Sequence, residues 1–167
     1  MKIGLISDTH GFLDPRIETY FEVCDEIWHA GDVGPISVLD TLSQIKPVFG
    51  VYGNIDGQQV RSQFPQDLWL ERAGLRIFMT HIAGKPGRYP RRVKEMIDDK
   101  PPDLLICGHS HILRIQKDPL YPEMLHINPG AAGKHGFHHK KTVVRFSLSD
   151  RKINDMEVID LGKRGSI

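Results

Sequence analysis

Five times in the first two thirds of the chain, an apolar run of strand length stops on aspartate, asparagine or histidine, most often beside a glycine. Residues 2–7 run into Asp8 and His10, residues 26–30 into Gly31 and Asp32, and residues 47–52 into Gly53, Asn54 and Asp56. Residues 75–80 are followed by His81, and residues 103–107 by Gly108, His109, Ser110 and His111. Helical periodicity fills the first two gaps. Asp14-Pro15 supplies an N-cap and a first-turn proline, and Ile17, Tyr20, Phe21 and Cys24 then recur at helical spacing over 15–25. Pro35 opens a second helix with Val38, Leu39, Leu42 and Ile45 on one face. Strands joined by helical crossovers imply a parallel α/β sheet, and such sheets gather ligands beyond the carboxyl ends of their strands. The five clusters are therefore expected to converge, although they span residues 8–111.

The middle and the tail change character. Residues 67–71 and 75–80, separated by Arg72-Ala73-Gly74, fit a hairpin. Tyr89, Val93, Met96 and Ile97 mark a helix with Pro90 near its start, and Pro101-Pro102 stops it. The tail is strand-rich, over 113–117, 123–127, 142–148 and 153–159. Val144, Phe146 and Leu148 alternate with polar residues, so that strand has one wet face. The expectation is one α/β domain over 1–167, built as two packed mixed sheets with helices outside.

Composition narrows the function classes. Hydrophobic residues make up 40% of 167 and charged residues 26%, which suits a folded domain that buries roughly 70% of its unfolded surface. Lys plus Arg is 22 against 21 Asp plus Glu, so no charge field points to nucleic acid or an anionic membrane. Cys24 and Cys107 are too few for a disulfide scaffold. No apolar run approaches the roughly 20 residues of a membrane span. The N-terminus meets Asp8 and His10 too early for a signal peptide, so a cytoplasmic protein with reduced thiols is expected.

The convergent set holds two aspartates, one asparagine and four histidines: Asp8, His10, Asp32, Asn54, His81, His109 and His111. One catalytic metal needs about three ligands and an open position. This set suits two ions sharing a bridging carboxylate. Nitrogen and oxygen ligands without thiolate favour Mn, Fe, Zn, Ni or Co over Ca, Mg or an iron–sulfur cluster. Gly11, Gly31, Gly53 and Gly108 allow tight turns that bring backbone close to the site.

The ordered blocks Asp8-x-His10, Gly31-Asp32, Gly53-Asn54-x-Asp56, His81 and Gly108-His109-x-His111 resemble the signature of calcineurin-like metallophosphoesterases. The short length is similar to the compact YfcE-type phosphodiesterase branch, to which the retromer subunit of the same fold belongs. The resemblance covers roughly residues 1–130 and continues into Asn128-Pro129-Gly130. It implies a four-layer α/β/β/α sandwich. It also implies that Asp8, His10, Asp32 and His111 hold one ion and Asp32, Asn54, His81 and His109 the other, manganese being the first candidate. Two ions would hold a shared hydroxide as nucleophile for a small phosphoester, and catalysis would rest chiefly on Asp32, Asn54 and His10.

Phosphodiesters and activated aryl esters are the expected substrates, with phosphomonoesters and nucleic acid as alternatives. The other class is a protein-binding scaffold, as in the retromer subunit. That subunit has lost part of the ligand set, whereas all seven residues are present here. A homo-oligomer is left open. Two positions depart from the family pattern. Ile55 stands where strongly acid-assisted members carry histidine, and the fourth block reads Thr80-His81-Ile82-Ala83-Gly84 with its second histidine missing. Substitute proton donors are sought in Lys134-His135-Gly136-Phe137-His138-His139, otherwise a solvated polar loop.

Weaker signals remain. Gly130-Ala131-Ala132-Gly133-Lys134-His135 lacks the spacing of a phosphate loop. His29 reads either as a group orienting a ligand or as a buried structural histidine. His126 and Cys107 read as structural. Lys85, Arg88, Arg91, Arg92 and Lys94 around Tyr89 read mainly as a wet helix face, with reach toward a substrate phosphate as the alternative.

Overall fold

The computed structural model describes residues 1–165. In chain order the first half comprises β1 (Lys2–Ile6), α1 (Arg16–Phe21), β2 (Glu26–His29), α2 (Ser37–Ile45), β3 (Val48–Gly50), α3 (Gln58–Gln63), β4 (Asp67–Arg72) and β5 (Leu75–Thr80). The second half comprises α4 (Arg91–Asp99), β6 (Leu104–Ile106), β7 (Arg114–Lys117), β8 (Leu125–Asn128), β9 (Lys140–Ser149) and β10 (Lys152–Lys163). One sheet runs β10-β9-β1-β2-β3, the other β4-β5-β6-β8-β7. Both are mixed. β1, β2 and β3 are parallel, as are β5, β6 and β8, and antiparallel strands complete each sheet.

Side-chain alternation builds the four layers. Ile3 and Leu5 of β1, Trp28 of β2 and Phe146 of β9 meet Ile77, Met79, Leu104, Ile106 and Ile127 of the opposite sheet in one buried cluster. The alternate residues face outward. Ile6 and Ile27 pack on Ile17, Phe21, Leu39, Leu42 and Val60 of α1–α3. Phe78 and Leu105 pack on Val93 and Ile97 of α4. The result is the expected α/β/β/α sandwich. Both faces of the inner strands are buried, which is why their sequences read as continuous apolar runs.

Several boundaries differ from the sequence reading. The first helix ends at Phe21 rather than at residue 25. Asp25 exchanges bonds with Lys2, accepting from its N–H at 2.6 Å and donating to its carbonyl at 2.7 Å, and this draws the chain into β2. α3 was not anticipated, because Val60 is its one buried residue and gives no periodicity. The hairpin loop is Ala73-Gly74 alone, since Arg72 pairs with Leu75, and both loop residues have positive φ. β10 extends well beyond residue 159 by way of two register shifts against β9. Lys141 of β9 is buried, with Nζ 3.1 Å from Asp14 Oδ2 at the head of α1. Bonds from Arg16 first, and from Lys141, hold the Asp14 carboxyl well below its ordinary range.

His126 of β8 and Cys107 are buried, as expected of structural residues. His126 Nε2 lies 3.4 Å from Cys107 Sγ and its Nδ1 3.4 Å from Tyr89 Oη, which donates to Asp118. Burial pushes His126 down to about 4 against the pull of Asp118, and pushes the Cys107 thiol up to about 12. A depressed folded pKa means that the unfolded chain takes up the proton first. The stability that His126 contributes is therefore complete above pH 6.5 and lost as pH falls toward 4. In urea titrations of metal-free protein between pH 7 and 4.5, His126→Gln should flatten the dependence by up to about 1.4 kcal/mol per pH unit. Equal slopes in wild type and variant would show that folding does not depress the His126 pKa.

Candidate metal centre

Backbone bonds zip the strand-end loops together. Asp8 N–H donates to Gly31 O at 3.0 Å, His10 N–H to Asp32 O at 3.0 Å and Gly11 N–H to Val33 O at 2.9 Å. From the other sheet, Gly108 N–H donates to His81 O at 3.0 Å. The segment after Asn128 closes the ring, with Gly133 N–H on Asp8 O at 3.0 Å. Asn128 Nδ2 donates to Gly108 O at 2.7 Å and Ser110 Oγ at 3.1 Å, bracing the loop that carries His109 and His111.

These loops gather six of the seven expected ligands into two groups, Asp8–His10–His111 and Asp32–His81–His109, each with ligand atoms within 4.8 Å of one another. Asp32 joins the groups. Its Oδ1 lies 3.3 Å from His81 Nε2 and its Oδ2 3.7 Å from His10 Nε2. Asn54, the seventh, lines both clefts that flank the centre, beside Asp32 in one and His81 in the other. Gly53 is needed next to it, because a Cβ there would lie 2.1 Å from Asp32 Oδ1. Five of the nine non-glycine residues with positive φ among the described residues are Asp8, His10, Asp32, His109 and His111. Such strain persists where surrounding contacts over-determine the backbone, and it clusters at functional sites.

The protonation pattern fits a cation. His81 Nδ1 donates to Ala30 O at 2.8 Å, so in the neutral ring Nε2 carries the lone pair. That nitrogen is buried and lacks an aligned hydrogen-bond partner. Burial pulls His81 down, but Asp32, Asp8 and the Ala30 carbonyl outweigh it and raise the pKa. Burial pushes Asp32 up, yet His81, the Ile55 N–H and His10 bring it below its ordinary value. Positive charge is thus favoured between these groups. His10 is lowered, by burial before the opposing pull of Asp32 and Asp8. Asp8 is fully buried, accepts from Ser7 Oγ at 2.7 Å and from His109 N–H, and lies 3.2 Å from His111 Nε2. Carboxylate and imidazole ligands aimed at a common point suit divalent ions.

Other expected residues sort differently. Asp56 accepts from Gly34 N–H at 2.8 Å and Gly53 N–H at 2.7 Å, so it binds loops together. The hydrogen bonds of His29 go to the loops around the candidate ligands: its Nδ1 accepts from Gly31 N–H at 3.2 Å and its Nε2 bonds Thr9 Oγ1 at 3.0 Å. Burial pushes it down to about 4. The basic run is mostly the wet face of α4, with Arg91 on Glu95 and Lys94 on Asp98. Arg92 is the exception, because it lines the smaller cleft, of about 330 Å³. Arg61 lines it too, 4.4 Å over the Tyr52 ring, and was missed because α3 has no sequence signal. The larger cleft, about 770 Å³, includes Ile55, Ile112 and the loop His135–His139. Ile55 is 48% exposed there, whereas Ala83 is buried in the α4 cluster.

Among known proteins, the chain is 28% identical over 136 residues to a probable metallophosphoesterase of Methanothermobacter thermautotrophicus, covering 78% of this chain and 77% of that one. It is 26% identical over 147 residues to a phosphodiesterase of Methanocaldococcus jannaschii, covering 78% and 83%. Among solved structures, an archaeal phosphodiesterase superposes with a TM-score of 0.74 at 23% identity, over 96% of this chain and all of that one. Wild-type Vps29 of Entamoeba histolytica complexed with zinc gives 0.71 at 16% identity, over 96% and 99%. The profile of the calcineurin-like phosphoesterase superfamily domain matches residues 1–151, and the chain belongs to that superfamily, whose members use divalent metals.

Proposed function

We propose that this chain is a phosphodiesterase whose centre takes two divalent transition-metal ions, with manganese the first candidate. The observation that carries the reading is the division of Asp32, one carboxylate oxygen toward His81 and the other toward His10. Asp8, His10, Asp32 and His111 would hold one ion, and Asp32, Asn54, His81 and His109 the other. When bound, such a pair supplies Lewis acidity to phosphoryl oxygens and a nucleophile from water near neutral pH. The residues themselves supply fixed geometry. Strained loops cross-linked by backbone bonds hold these side chains together. The relative named as a phosphodiesterase supports the substrate class, and the open clefts beside Asn54 leave room for an ester group on either side. The shared fold of Vps29 supports a protein-binding role, whereas the presence of all seven expected ligand residues in the sequence favours hydrolysis.

Metal analysis of protein reconstituted with Mn²⁺ should reach two ions per chain. Asp32→Ala should lose both ions and all hydrolysis with the fold kept, and Asn54→Ala should lose one ion and most activity. Saturation at one ion in the wild type, or full activity in a folded Asp32→Ala protein, would overturn the reading.

Ile55 sits at the cleft with an apolar side chain, where a general acid would protonate a departing alkoxide. Ile55→His should therefore speed alkyl esters far more than nitrophenyl esters, within the roughly 10²–10⁴-fold worth of general acid catalysis. Asp56 beside it already accepts one backbone N–H on each oxygen, which fixes the turn that would carry the new ring. The measurement is the ratio of kcat/KM for alkyl against nitrophenyl diesters in both proteins. An unchanged ratio in a variant that still binds two ions would mean that leaving-group protonation is not limiting or has another source.

A further inference from the structure

The loop after Gly133 is fitted onto one candidate ligand. His138 Nε2 lies 3.0 Å from Gly133 O, and His138 Nδ1 lies 3.3 Å from His111 Nδ1. A carbonyl oxygen only accepts, so His138 Nε2 carries the hydrogen of that bond. In the neutral ring His138 Nδ1 is then a bare lone pair, and the hydrogen shared with His111 belongs to His111 Nδ1. That leaves the lone pair of His111 on Nε2, the atom 3.2 Å from Asp8 Oδ1 and 3.3 Å from His10 Nε2. Each donor in the chain thus has an acceptor, and its last free electron pair points into the ligand group.

The anchor of this chain is itself tied to the site. Gly133 gives its N–H to Asp8 O at 3.0 Å while its carbonyl receives His138. The loop approaches so closely that a Cβ at Gly136 would lie 2.2 Å from His111 Nδ1, and Gly136 has φ +119°. The Arg164 guanidinium donates to the Gly136 carbonyl from outside. A merely solvated loop needs neither the close approach nor the paired nitrogens.

We propose that His138 is a positioning residue: it holds His111 as the Nδ1–H tautomer and so aims the His111 Nε2 lone pair at the ion shared with Asp8 and His10. This rests on the dinuclear reading above. Partners that orient a ligating imidazole are commonly worth about 10–100-fold in metal affinity.

Two substitutions separate this role from simple loop anchoring. An asparagine amide oxygen falls near the position of histidine Nδ1, and a glutamine amide nitrogen near that of Nε2. His138→Asn can still accept from His111 but loses Gly133. His138→Gln keeps Gly133 but leaves His111 without its acceptor. In calorimetric Mn²⁺ titrations of the full chain, His138→Gln should weaken one of the two ions about 10–100-fold and leave the other within about twofold. His138→Asn should stay within about threefold of wild type at both. Equal affinities in the two variants, or a weaker His138→Asn, would overturn the assignment.

A second readout needs no metal. In ¹⁵N-labelled metal-free wild type, a through-hydrogen-bond ¹⁵N–¹⁵N coupling should join His111 Nδ1 to His138 Nδ1, with the proton on His111. A proton found on His111 Nε2 alone would overturn the proposal. Uptake of a single Mn²⁺ by wild type would refute the dinuclear reading, while the coupling would still decide the role of His138.

Discussion

Two buried carboxylates set the terms for everything around them. Asp8 is fully buried and Asp32 is 2% exposed, at the carboxyl ends of adjacent parallel strands. Taking a carboxylate out of water costs several kcal/mol unless charge and hydrogen bonds compensate it. Among the described residues, the ion-pair partners of Asp8 and Asp32 are the histidines His10, His81 and His111, with no lysine or arginine. Neutral imidazoles present lone pairs and cancel no negative charge. With neutral imidazoles the negative charge of the two carboxylates stays uncompensated, and divalent cations between these groups would supply the missing term. The raised pKa of His81 is the same demand met by a proton.

Placing that many candidate ligands together requires unfavourable backbone. A left-handed conformation costs a non-glycine residue about 1–2 kcal/mol, and Asp8, His10, Asp32, His109 and His111 all adopt it. The compensation is visible. Loop-to-loop bonds from Asp8, His10 and Gly11 fix the first two loops to each other. Asp56 pins Gly34 to Gly53, and Asn128 pins the loop of His109 and His111. Below them the two sheets close over a buried apolar interface including Ile3, Trp28, Met79 and Phe146, which gives the strained loops a rigid base. The division of labour is spatial: apolar burial supplies stability between the sheets, and the strand ends expend part of it on geometry.

The same division explains what could be read in the sequence. Inner strands bury both faces, so their apolar runs stand out, and the ligands follow because topology puts strand ends together. Six of the seven expected ligands fall into two groups for that reason. α3 could not be read, because its six residues bury one side chain. The early end of α1 depends on Asp25 reaching back to Lys2, a contact between residues 23 apart in the chain. Asp56 follows a strand without belonging to the expected ligand set, and only three-dimensional contact shows its two oxygens accepting from Gly34 and Gly53 N–H. Asn128 and His138 carry the opposite lesson. Asn128 sits in a segment that resembles the family's and His138 in a histidine-rich loop, yet their bonds reach residues about 20 and 27 positions away.

The histidine network also bears on the missing acid. His138 has one nitrogen on Gly133 and the other on His111, so a proton given to a leaving group would break the chain that orients His111. His135 and His139 line the same cleft, and their ring nitrogens have no hydrogen-bond partner among the described residues. The His135 ring centroid is 5.4 Å from that of His10, on the side of the Asp8 group. Ile55 belongs to the turn whose N–H donates to Asp32 Oδ1, and the side chain it places on the cleft wall is apolar. The two walls are thus chemically unequal: imidazoles able to exchange protons stand on the loop after Gly133, and a residue unable to do so stands beside Asn54. An ester whose leaving group needs a proton would draw it from the first wall, where His135 and His139 stand. One whose leaving group is already a weak base would need no such donor, and the apolar side chain at position 55 would cost it little.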